Sequence, residues 1–258
     1  MENRKQVEAS FHDQRAKDRL QRERGDFEAI YSNKKYYAIT RTHRLRIDKW
    51  IVDYCKDSVV LDYCCGEGES TAKLCQPGAA VFGVDISAES LLIARRACSH
   101  LPKPPTFVVG DAEALAFPDN YFDAILVSGC LHHLDLDKAY RELHRVLKPT
   151  GRIMCNEALA HNPIFHLYRK MTPKLRTPWE VPHILRMRGI RRANDYFDAN
   201  DIQFHYLFSL LAVPFRRTRI FNSLLRAFEL ADHVTLSIPG LRLMAWQTTF
   251  ELSQPKGK

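Results

Sequence analysis

Short apolar runs alternate with helix-length segments over residues 58–158, and this alternation constrains the fold more than any other feature. Each run has the length and composition of a buried strand. Strands that are joined through helices enter one sheet in parallel, by right-handed crossovers. We therefore predict an α/β fold with a doubly wound, mostly parallel sheet, whose first five strands lie at 58–62, 79–85, 106–110, 122–128 and 152–157.

The helical segments are less uniform than the strands. Residues 1–27 predict a polar helix, and residues 36–55 predict a second helix. The clearest helix lies at 135–147, because its apolar residues fall on one face, Asp135 can cap its start, and Pro149 and Gly151 end it.

The alternation stops after Glu157. Residues 161–182 contain four prolines, too many for one long helix. A strand candidate at 202–208, an amphipathic helix near 221–228 and a final strand at 243–252 follow. We predict one structural domain with three parts: an N-terminal helical segment that closes a cleft (1–57), a ligand-binding core (58–160), and a cap with the last two strands of the same sheet (161–258).

A glycine-rich turn follows the first strand, with the sequence D-Y-C-C-G-E-G at 62–68. Glycines in such a turn let a ligand approach the backbone closely. The spacing differs from the G-x-G-x-x-G of a dinucleotide fold. Asp85 ends the second strand, where a carboxylate can accept both hydroxyls of a ribose. Gly110-Asp111-Ala112 follows the third strand, where an adenine edge could sit.

Together with two further segments, these motifs resemble those of the class I S-adenosylmethionine-dependent methyltransferases. The family pattern is roughly D-x-G-x-G-x-G, an acid that ends the second strand, and G-D-A after the third. The resemblance continues through F-P-D-N-Y-F-D at 117–123, L-H-H-L at 131–134 and R-V-L-K-P-T-G at 145–151. It covers residues 58–158. It implies a Rossmann-like sheet with an antiparallel last strand, S-adenosyl-L-methionine as the cofactor, and methyl transfer as the activity.

The resemblance also implies cofactor-binding roles for nine residues. They are Asp62, Cys64, Gly66 and Gly68 around the methionine part, Asp85 at the ribose, Ile86, Asp111 and Ala112 at the adenine, and Ser128 near the methionine end. The chain departs from the family at Cys64, which stands where the first loop glycine is usual. A cysteine disfavours positive φ, so we expect either ordinary backbone angles at Cys64 or a slightly displaced loop.

Three residues are candidates for a general base. Methyl transfer from a sulfonium is an in-line displacement, for which the protein supplies positioning and, where the acceptor needs it, a base. His132 and His133 follow the fourth strand, at the sheet edge where ligands bind in open α/β folds. Either imidazole could be the base or could only brace the loop. Glu157, at the end of the fifth strand, could be a base or could accept backbone hydrogen bonds.

Aromatic residues flank this core on both sides. Tyr168, Trp179 and His183 lie in the cap, and Tyr36 and Tyr37 lie in the N-terminal segment. Aromatic side chains can shape a pocket for a flat or apolar acceptor. We predict that these five residues line the substrate pocket, with plain packing between cap and core as the alternative.

The charge of the chain is concentrated in the cap. Residues 161–227 contain twelve basic and four acidic side chains, an excess of eight that equals the net charge of the whole chain. This surface is either a solvated face or a contact for an anionic acceptor or a membrane. We predict a small-molecule or lipid-like acceptor, methylated on oxygen, carbon or nitrogen. An RNA acceptor bound by residues 161–227, and a non-catalytic cofactor-binding partner subunit, are the alternatives.

Several classes of protein are disfavoured by the sequence. Ser128-Gly-Cys-Leu131 after the fourth strand differs from the N-P-P-Y of nucleic-acid amino methyltransferases, which argues against a nucleic-acid partner. The seven cysteines lack metal-ligand spacing, so we expect no metal and read them as reduced thiols of a cytoplasmic protein. No run of about 18 apolar residues predicts a membrane span, and the charged N-terminus is unlike a secretory signal.

Overall fold

A seven-stranded sheet forms the centre of the protein. The computed structural model describes residues 3–21, 34–172, 175 and 177–258. The strands are β1 (Val59–Tyr63), β2 (Ala80–Asp85), β3 (Thr106–Val109), β4 (Phe122–Ser128), β5 (Leu147–Ala158), β6 (Phe197–His205) and β7 (Gln247–Pro255). Their order is β3-β2-β1-β4-β5-β7-β6. Strands β1 to β5 are parallel, and β7 lies antiparallel between β5 and β6. The predicted α/β, doubly wound, mostly parallel sheet is confirmed.

Helices connect these strands and flank the sheet. They are α1 (Asn3–Gln21), α2 (Lys34–Tyr37), α3 (Arg41–Tyr54), α4 (Glu69–Leu74), α5 (Ala88–Cys98), α6 (Leu136–Val146), α7 (Pro163–Met171), α8 (Glu180–His183), α9 (Met187–Arg191) and α10 (Phe221–Leu236). Short 3-10 helices occupy Leu131–His133, Arg192–Asp195, Ser209–Phe215 and Leu241–Met244. Residues 22–27 of the helix predicted at 1–27 lie outside the described residues. In the described ranges, no helix combines the length and apolarity needed to cross a bilayer.

Alternating residues of the central strands face two hydrophobic clusters. Ile125 and Val127 of β4 pack in the cluster that contains α6, whereas Ala124 and Leu126 pack in the cluster that contains Trp50 of α3. Helix α6 forms where it was predicted. The Asp135 carboxylate caps it by accepting from the N–H groups of residues 137 and 138, and its apolar face is fully buried.

The two last strands lie a few residues from their predicted positions. Strand β6 ends at His205 rather than residue 208, because Tyr206 takes a left-handed conformation with φ of +67°. Strand β7 begins at Gln247 rather than residue 243, because residues 241–244 form a 3-10 helix after Gly240. Both strands still extend the same sheet, as predicted.

The seven cysteines are free, and six of them are buried. Burial alone raises the pKa of the Cys55 thiol to about 12. Burial is also the largest cause that raises the pKa of Cys75 to about 11. These thiols behave as small apolar side chains in the core.

The α6 packing predicts a large stability loss on truncation of Leu143, which is fully buried against the sheet. We expect Leu143→Ala to lower the free energy of unfolding by about 2–5 kcal/mol, because it leaves a cavity. Arg141→Ala, on the exposed side of the same helix, is the control for helix propensity. Urea unfolding measures both variants, and a loss at Leu143 no larger than at Arg141 would contradict the assigned packing.

Candidate active site

A cleft opens at the carboxyl ends of β1 to β4, where ligands bind in open α/β sheets. It encloses about 700 Å³, including its open mouth. Its walls come from the loops after the four strands and from α1. The lining residues are Arg4, Lys5, Glu8, His12, Cys64, Gly66, Asp85, Ile86, Gly110, Asp111, Ala112, Glu113, Gly129, Cys130, His133 and Leu134.

The glycine-rich turn after β1 has a left-handed backbone at three places. The φ angles are +59° at Cys64, +51° at Gly66 and +83° at Gly68. The expectation of ordinary backbone angles at Cys64 is therefore wrong. A left-handed cysteine costs roughly 1–2 kcal/mol. The Cys130 thiol donates a hydrogen bond to the Tyr63 carbonyl, directly before Cys64, at 3.7 Å. The turn thus keeps its backbone shape without its usual first glycine.

Gly66 and Gly68 have different roles in this turn. A Cβ on Gly66 would meet no atom within 4 Å, so its face is open to the cleft. A Cβ on Gly68 would lie 2.9 Å from the Cβ of Ala94, so this glycine allows α5 to pack closely and begins α4. Gly66 therefore provides space for a ligand, and Gly68 sets the path of the loop from outside the cleft lining.

Asp85 ties this turn to the end of β2. Its Oδ2 accepts a hydrogen bond from Gly66 N at 2.8 Å, and its Oδ1 accepts one from Ser87 N at 2.9 Å. Burial raises the pKa of this carboxyl, and the two backbone N–H groups act in the opposite direction. Each oxygen has a further lone pair, so the carboxylate can also accept two ligand hydroxyls.

Asp62 lies beneath the turn and does not line the cleft. Its Oδ2 accepts a hydrogen bond from Thr71 Oγ1 at 2.6 Å. Burial is the main cause that raises the pKa of Asp62 from 3.8 to about 7. In this position Asp62 supports the turn and the start of α4, rather than presenting an oxygen to the cleft.

Polar groups from β3 and α1 form one end of the cleft. Asp111, Ala112 and Ile86 all line it, as the sequence predicted for an adenine pocket. The Ala112 carbonyl accepts a hydrogen bond from the buried Tyr63 hydroxyl at 2.7 Å. Lys5 Nζ lies 2.7 Å from Asp111 Oδ2. The ion pair places a cation at the predicted adenine edge, while the other Asp111 oxygen accepts a hydrogen bond from Glu113 N.

Glu157 holds the loop after β4 from below. Its Oε1 accepts hydrogen bonds from Cys130 N and Leu131 N, both at 2.8 Å. Its Oε2 lies 2.8 Å from His132 Nδ1. Glu157 and His132 are both buried. They brace the 3-10 helix that carries the His-His pair, and neither lines the cleft.

His133, in contrast, lines the cleft and meets α1 there. Its Nδ1 lies 3.0 Å from Glu8 Oε2, and the other Glu8 oxygen accepts a hydrogen bond from Thr177 Oγ1 at 2.6 Å. Burial acts to raise the pKa of Glu8, but the contacts with His133 and Thr177 outweigh it, so the pKa lies below its usual range. A carboxylate therefore lies within ion-pair distance of the one predicted base that faces the cleft.

Four lining residues on α1 were not predicted as site residues: Arg4, Lys5, Glu8 and His12. The sequence predicts the helix but no face for it, since it has no apolar stripe. It docks instead through polar contacts, including the Lys5 and Glu8 pairs and a hydrogen bond from Ser87 Oγ to Asp13 at 2.7 Å. The available signal was the spacing of Arg4, Glu8 and His12, which puts them on one side of a helix.

The remaining predicted residues lie outside the cleft lining in the described part of the chain. Ser128 accepts a hydrogen bond from Asn156 Nδ2 at 3.4 Å. Tyr36 packs edge-on against Tyr168, with ring centroids 6.0 Å apart, and Tyr37 is half-exposed beside Arg44. These tyrosines pack near the cap rather than near the cleft.

Trp179 and His183 border α1 instead. Their rings stack with centroids 3.6 Å apart, and the Arg4 guanidinium lies 4.9 Å from the Trp179 ring centroid. The segment that carries them also packs against the 3-10 helix Leu131–His133. Trp179 is therefore one contact removed from the cleft wall, and His183 lies behind it.

Two groups of side chains bring possible metal-ligating atoms within 4.8 Å of one another. They are Glu8, His12 and His133, and His132, His133 and Glu180. The carboxylate–imidazole contact of Glu8 with His133 accounts for the first group. Burial is the largest cause that lowers the pKa of His12 to about 4, so this ring is neutral. We assign no metal to either group.

The raised pKa of Asp62 predicts the pH dependence of stability. Because folding raises this pKa from 3.8 to about 7, Asp62 favours the folded state most below pH 4, and this contribution is lost as the pH rises through 7. Asp62→Asn keeps the acceptor for Thr71 but has no proton to lose. We therefore expect the variant to gain stability relative to wild type as the pH rises from 4 to 7, by up to about 4 kcal/mol.

Urea unfolding of both proteins across this pH range measures the difference. Asp198→Asn, at an exposed position, shows whether the loss of any one carboxylate gives the same trend. A stability difference between Asp62→Asn and wild type that stays constant with pH would contradict the assigned environment of Asp62.

Comparisons with known proteins identify the core of the chain. Residues 61–155 match the protein family described as "Methyltransferase domain". The chain is 37% identical over 105 residues to a demethylmenaquinone methyltransferase of Symbiobacterium thermophilum, an alignment that covers 38% of this chain and 42% of the relative. It is 40% identical over 108 residues to the ubiquinone/menaquinone biosynthesis C-methyltransferase UbiE of Pasteurella multocida, covering 40% of each chain. The chain spans less than half the length of these two relatives.

Solved structures share the fold over a larger part of the chain. A putative sarcosine dimethylglycine methyltransferase from Galdieria sulphuraria has a TM-score of 0.54 at 16% identity, covering 81% of this chain and 84% of that one. A phosphoethanolamine N-methyltransferase from Haemonchus contortus has the same TM-score at 18% identity, covering 78% and 49%. Together with the motifs and the cleft, the family match shows that this chain carries a class I, S-adenosylmethionine-dependent methyltransferase domain.

Proposed function

We propose that the protein transfers the methyl group of S-adenosylmethionine to a small lipid-like acceptor, and that this acceptor is a reduced quinone or a related phenolic ring. The observation that carries the proposal is the cleft itself. It joins the glycine-rich turn, the Asp85 carboxylate and the cleft-facing imidazole of His133 in one space. The names of the two curated relatives, both methyltransferases of quinone biosynthesis, support this acceptor class.

The residues of the cleft fit the cofactor. The open face of Gly66 admits a methionine chain, and Asp85 has free lone pairs for ribose hydroxyls. Ile86 and Ala112 provide an apolar wall for an adenine ring. When bound, the cofactor supplies an electrophilic methyl group on a sulfonium. The protein then binds, orients and shields it from water.

His133 is the general base in this proposal, and Glu8 is its positioning residue. The Glu8 carboxylate holds Nδ1 of His133, so that Nε2 is the atom left to accept a proton. Removing a proton from a phenolic hydroxyl makes the oxygen, and the ring carbons conjugated with it, nucleophilic. His132 and Glu157 brace the loop in this proposal, since their polar atoms are committed to each other and to the backbone.

The N-terminal and C-terminal parts complete the acceptor side. Helix α1 closes the cleft, and the segment that carries Thr177, Trp179 and His183 supports α1 through Glu8 and Arg4. We propose that the acceptor enters between α1 and this segment. In this arrangement Trp179 is the aromatic residue nearest to the acceptor.

Asp85→Ala is expected to weaken S-adenosylmethionine binding at least tenfold, because two hydrogen bonds to a charged acceptor are worth roughly 1.5–3 kcal/mol each. Isothermal titration calorimetry measures the effect. Asp123→Ala is the matched control, since Asp123 accepts a hydrogen bond from Val59 N at 2.9 Å at the amino ends of β1 and β4, away from the cleft. The control should lose stability but keep cofactor affinity. An unchanged affinity in Asp85→Ala would refute the ribose assignment.

His133→Asn is expected to lower kcat by about 10²–10⁴-fold with little change in cofactor affinity, and to change the shape of the pH–rate profile. Reduced short-chain naphthoquinones and benzoquinones, with radiolabelled S-adenosylmethionine, serve as acceptors. Glu8→Gln should lower kcat less than His133→Asn does. His132→Asn should lower thermal stability while the profile keeps its shape.

The same assay separates the alternative functions. Turnover of an RNA acceptor without turnover of any quinol would replace the proposed acceptor class. Cofactor binding without turnover of either would support a non-catalytic partner subunit. A wild-type kcat in His133→Asn would reject the assignment of His133 as the general base, but it would not contradict the methyltransferase proposal.

A further inference from the structure

A helical hairpin at residues 209–241 covers one edge of the protein near β6. It consists of the 3-10 helix Ser209–Phe215, a connection at 216–220, and α10 with the residues after it. The inner side of the hairpin is a conventional core, in which Leu225 packs with Ile39 and Tyr206. The outer side is the unusual feature, because it is apolar as well.

Seven large apolar side chains of the hairpin are exposed to solvent. Leu230 and Val234 of α10 lie four residues apart and so share one face of the helix, and Ile238 follows just after its end. A helix with two apolar faces, one of them unburied, marks an interaction site. The exposed residues are Leu211, Phe215, Ile220, Leu230, Val234, Ile238 and Leu241.

The charged side chains of the hairpin are also divided between its two sides. Four arginines, at 216, 217, 219 and 226, are exposed or half-exposed. The two acids of the hairpin face inward: Asp232 is buried and accepts hydrogen bonds from Ser209 N and Ser209 Oγ, and Glu229 pairs with Arg41. The outer surface of the hairpin, within the described residues, therefore presents cations and apolar groups without an exposed carboxylate.

A second apolar stripe adjoins this surface on α7. Ile164, Leu167 and Met171 are exposed on one face of that helix. Tyr168 of α7 packs on Tyr36, which belongs to the hydrophobic cluster beneath the hairpin. The cap thus has two neighbouring elements with exposed aliphatic residues, in the segment that holds the whole positive excess of the chain.

We propose that the hairpin docks the protein on an anionic lipid surface, with its aliphatic residues in the headgroup–acyl boundary and its arginines on the lipid headgroups. The composition selects this partner. Aliphatic side chains enter an acyl boundary, whereas single-stranded nucleic acids are bound by aromatic platforms that stack on bases. Of the seven exposed apolar residues, only Phe215 is aromatic. Docking would bring the enzyme to a lipid-dissolved acceptor, and in that sense the inference rests on the proposed function.

Vesicle co-sedimentation of the full chain tests the proposal without any methyl transfer, so docking and the proposed function can fail separately. The probes are vesicles of phosphatidylcholine and of phosphatidylglycerol mixed with phosphatidylcholine. We expect binding to the mixed vesicles that weakens with salt. Arg217→Gln, Arg219→Gln and Arg226→Gln together should weaken it at least tenfold, since each basic residue near an anionic surface contributes roughly fivefold.

Two further variants show whether binding depends on the hairpin itself or on the charge of the whole protein. Lys56→Gln, Arg96→Gln and Arg141→Gln together remove the same charge from exposed positions elsewhere, and should leave at least half of the binding. Leu230→Ser with Val234→Ser should also weaken binding at least tenfold, while cofactor affinity and circular dichroism stay at wild-type levels. Equal losses in the two charge variants would overturn the proposal. So would unchanged binding in the serine variant, absent binding to the mixed vesicles, or arginine-dependent binding of an RNA oligonucleotide in place of vesicles.

Discussion

Buried carboxylates at the carboxyl ends of β2 and β5 hold the loops from which the cleft is built. Loops beside a ligand cleft cannot rely on bulk water to satisfy their N–H groups. Asp85 accepts from the turn after β1 and from the start of the next helix. Glu157 accepts twice from the loop after β4 and pairs with His132. Loss of either acid would leave N–H groups unpaired in the interior, so the backbone shape of the site depends on these two side chains.

Helix α1 is held mainly by polar interactions, unlike the apolar core of the fold. The sheet and α6 are assembled by apolar burial, whereas α1 has little apolar surface and lies over the cleft through ion pairs and hydrogen bonds. Partly buried pairs of this kind are geometrically specific but contribute little net stability. Removal of α1 would therefore expose little apolar surface of the core, but it would leave the buried Glu113 carboxylate without Arg4 and Lys5.

The sequence predicts the core of this fold well because the relevant signals are local. Strand patterns and the turn at 62–68 each depend on residues a few positions apart. Of the residues that the family resemblance assigned to the cofactor, Cys64, Gly66, Asp85, Ile86, Asp111 and Ala112 line the cleft. The α1 contacts could not be predicted in this way, because a charge that pairs across more than a hundred residues leaves no periodic trace. Tyr36 and Tyr168 show the same limit, since their aromatic character fits a core contact as well as a pocket wall.

The six buried thiols are distributed over three hydrophobic clusters, two in each. Cys55 and Cys75 pack with α3, Cys130 and Cys155 pack in the α6 cluster, and Cys65 and Cys98 pack against α5. Only the thiolate reacts with an alkylating reagent, and burial keeps these thiols protonated and covered. Alkylation of these thiols therefore requires local opening of the surrounding elements. The natural chain thus contains its own set of chemical probes, whose labelling rates would compare the opening of the two faces of the sheet and of α5.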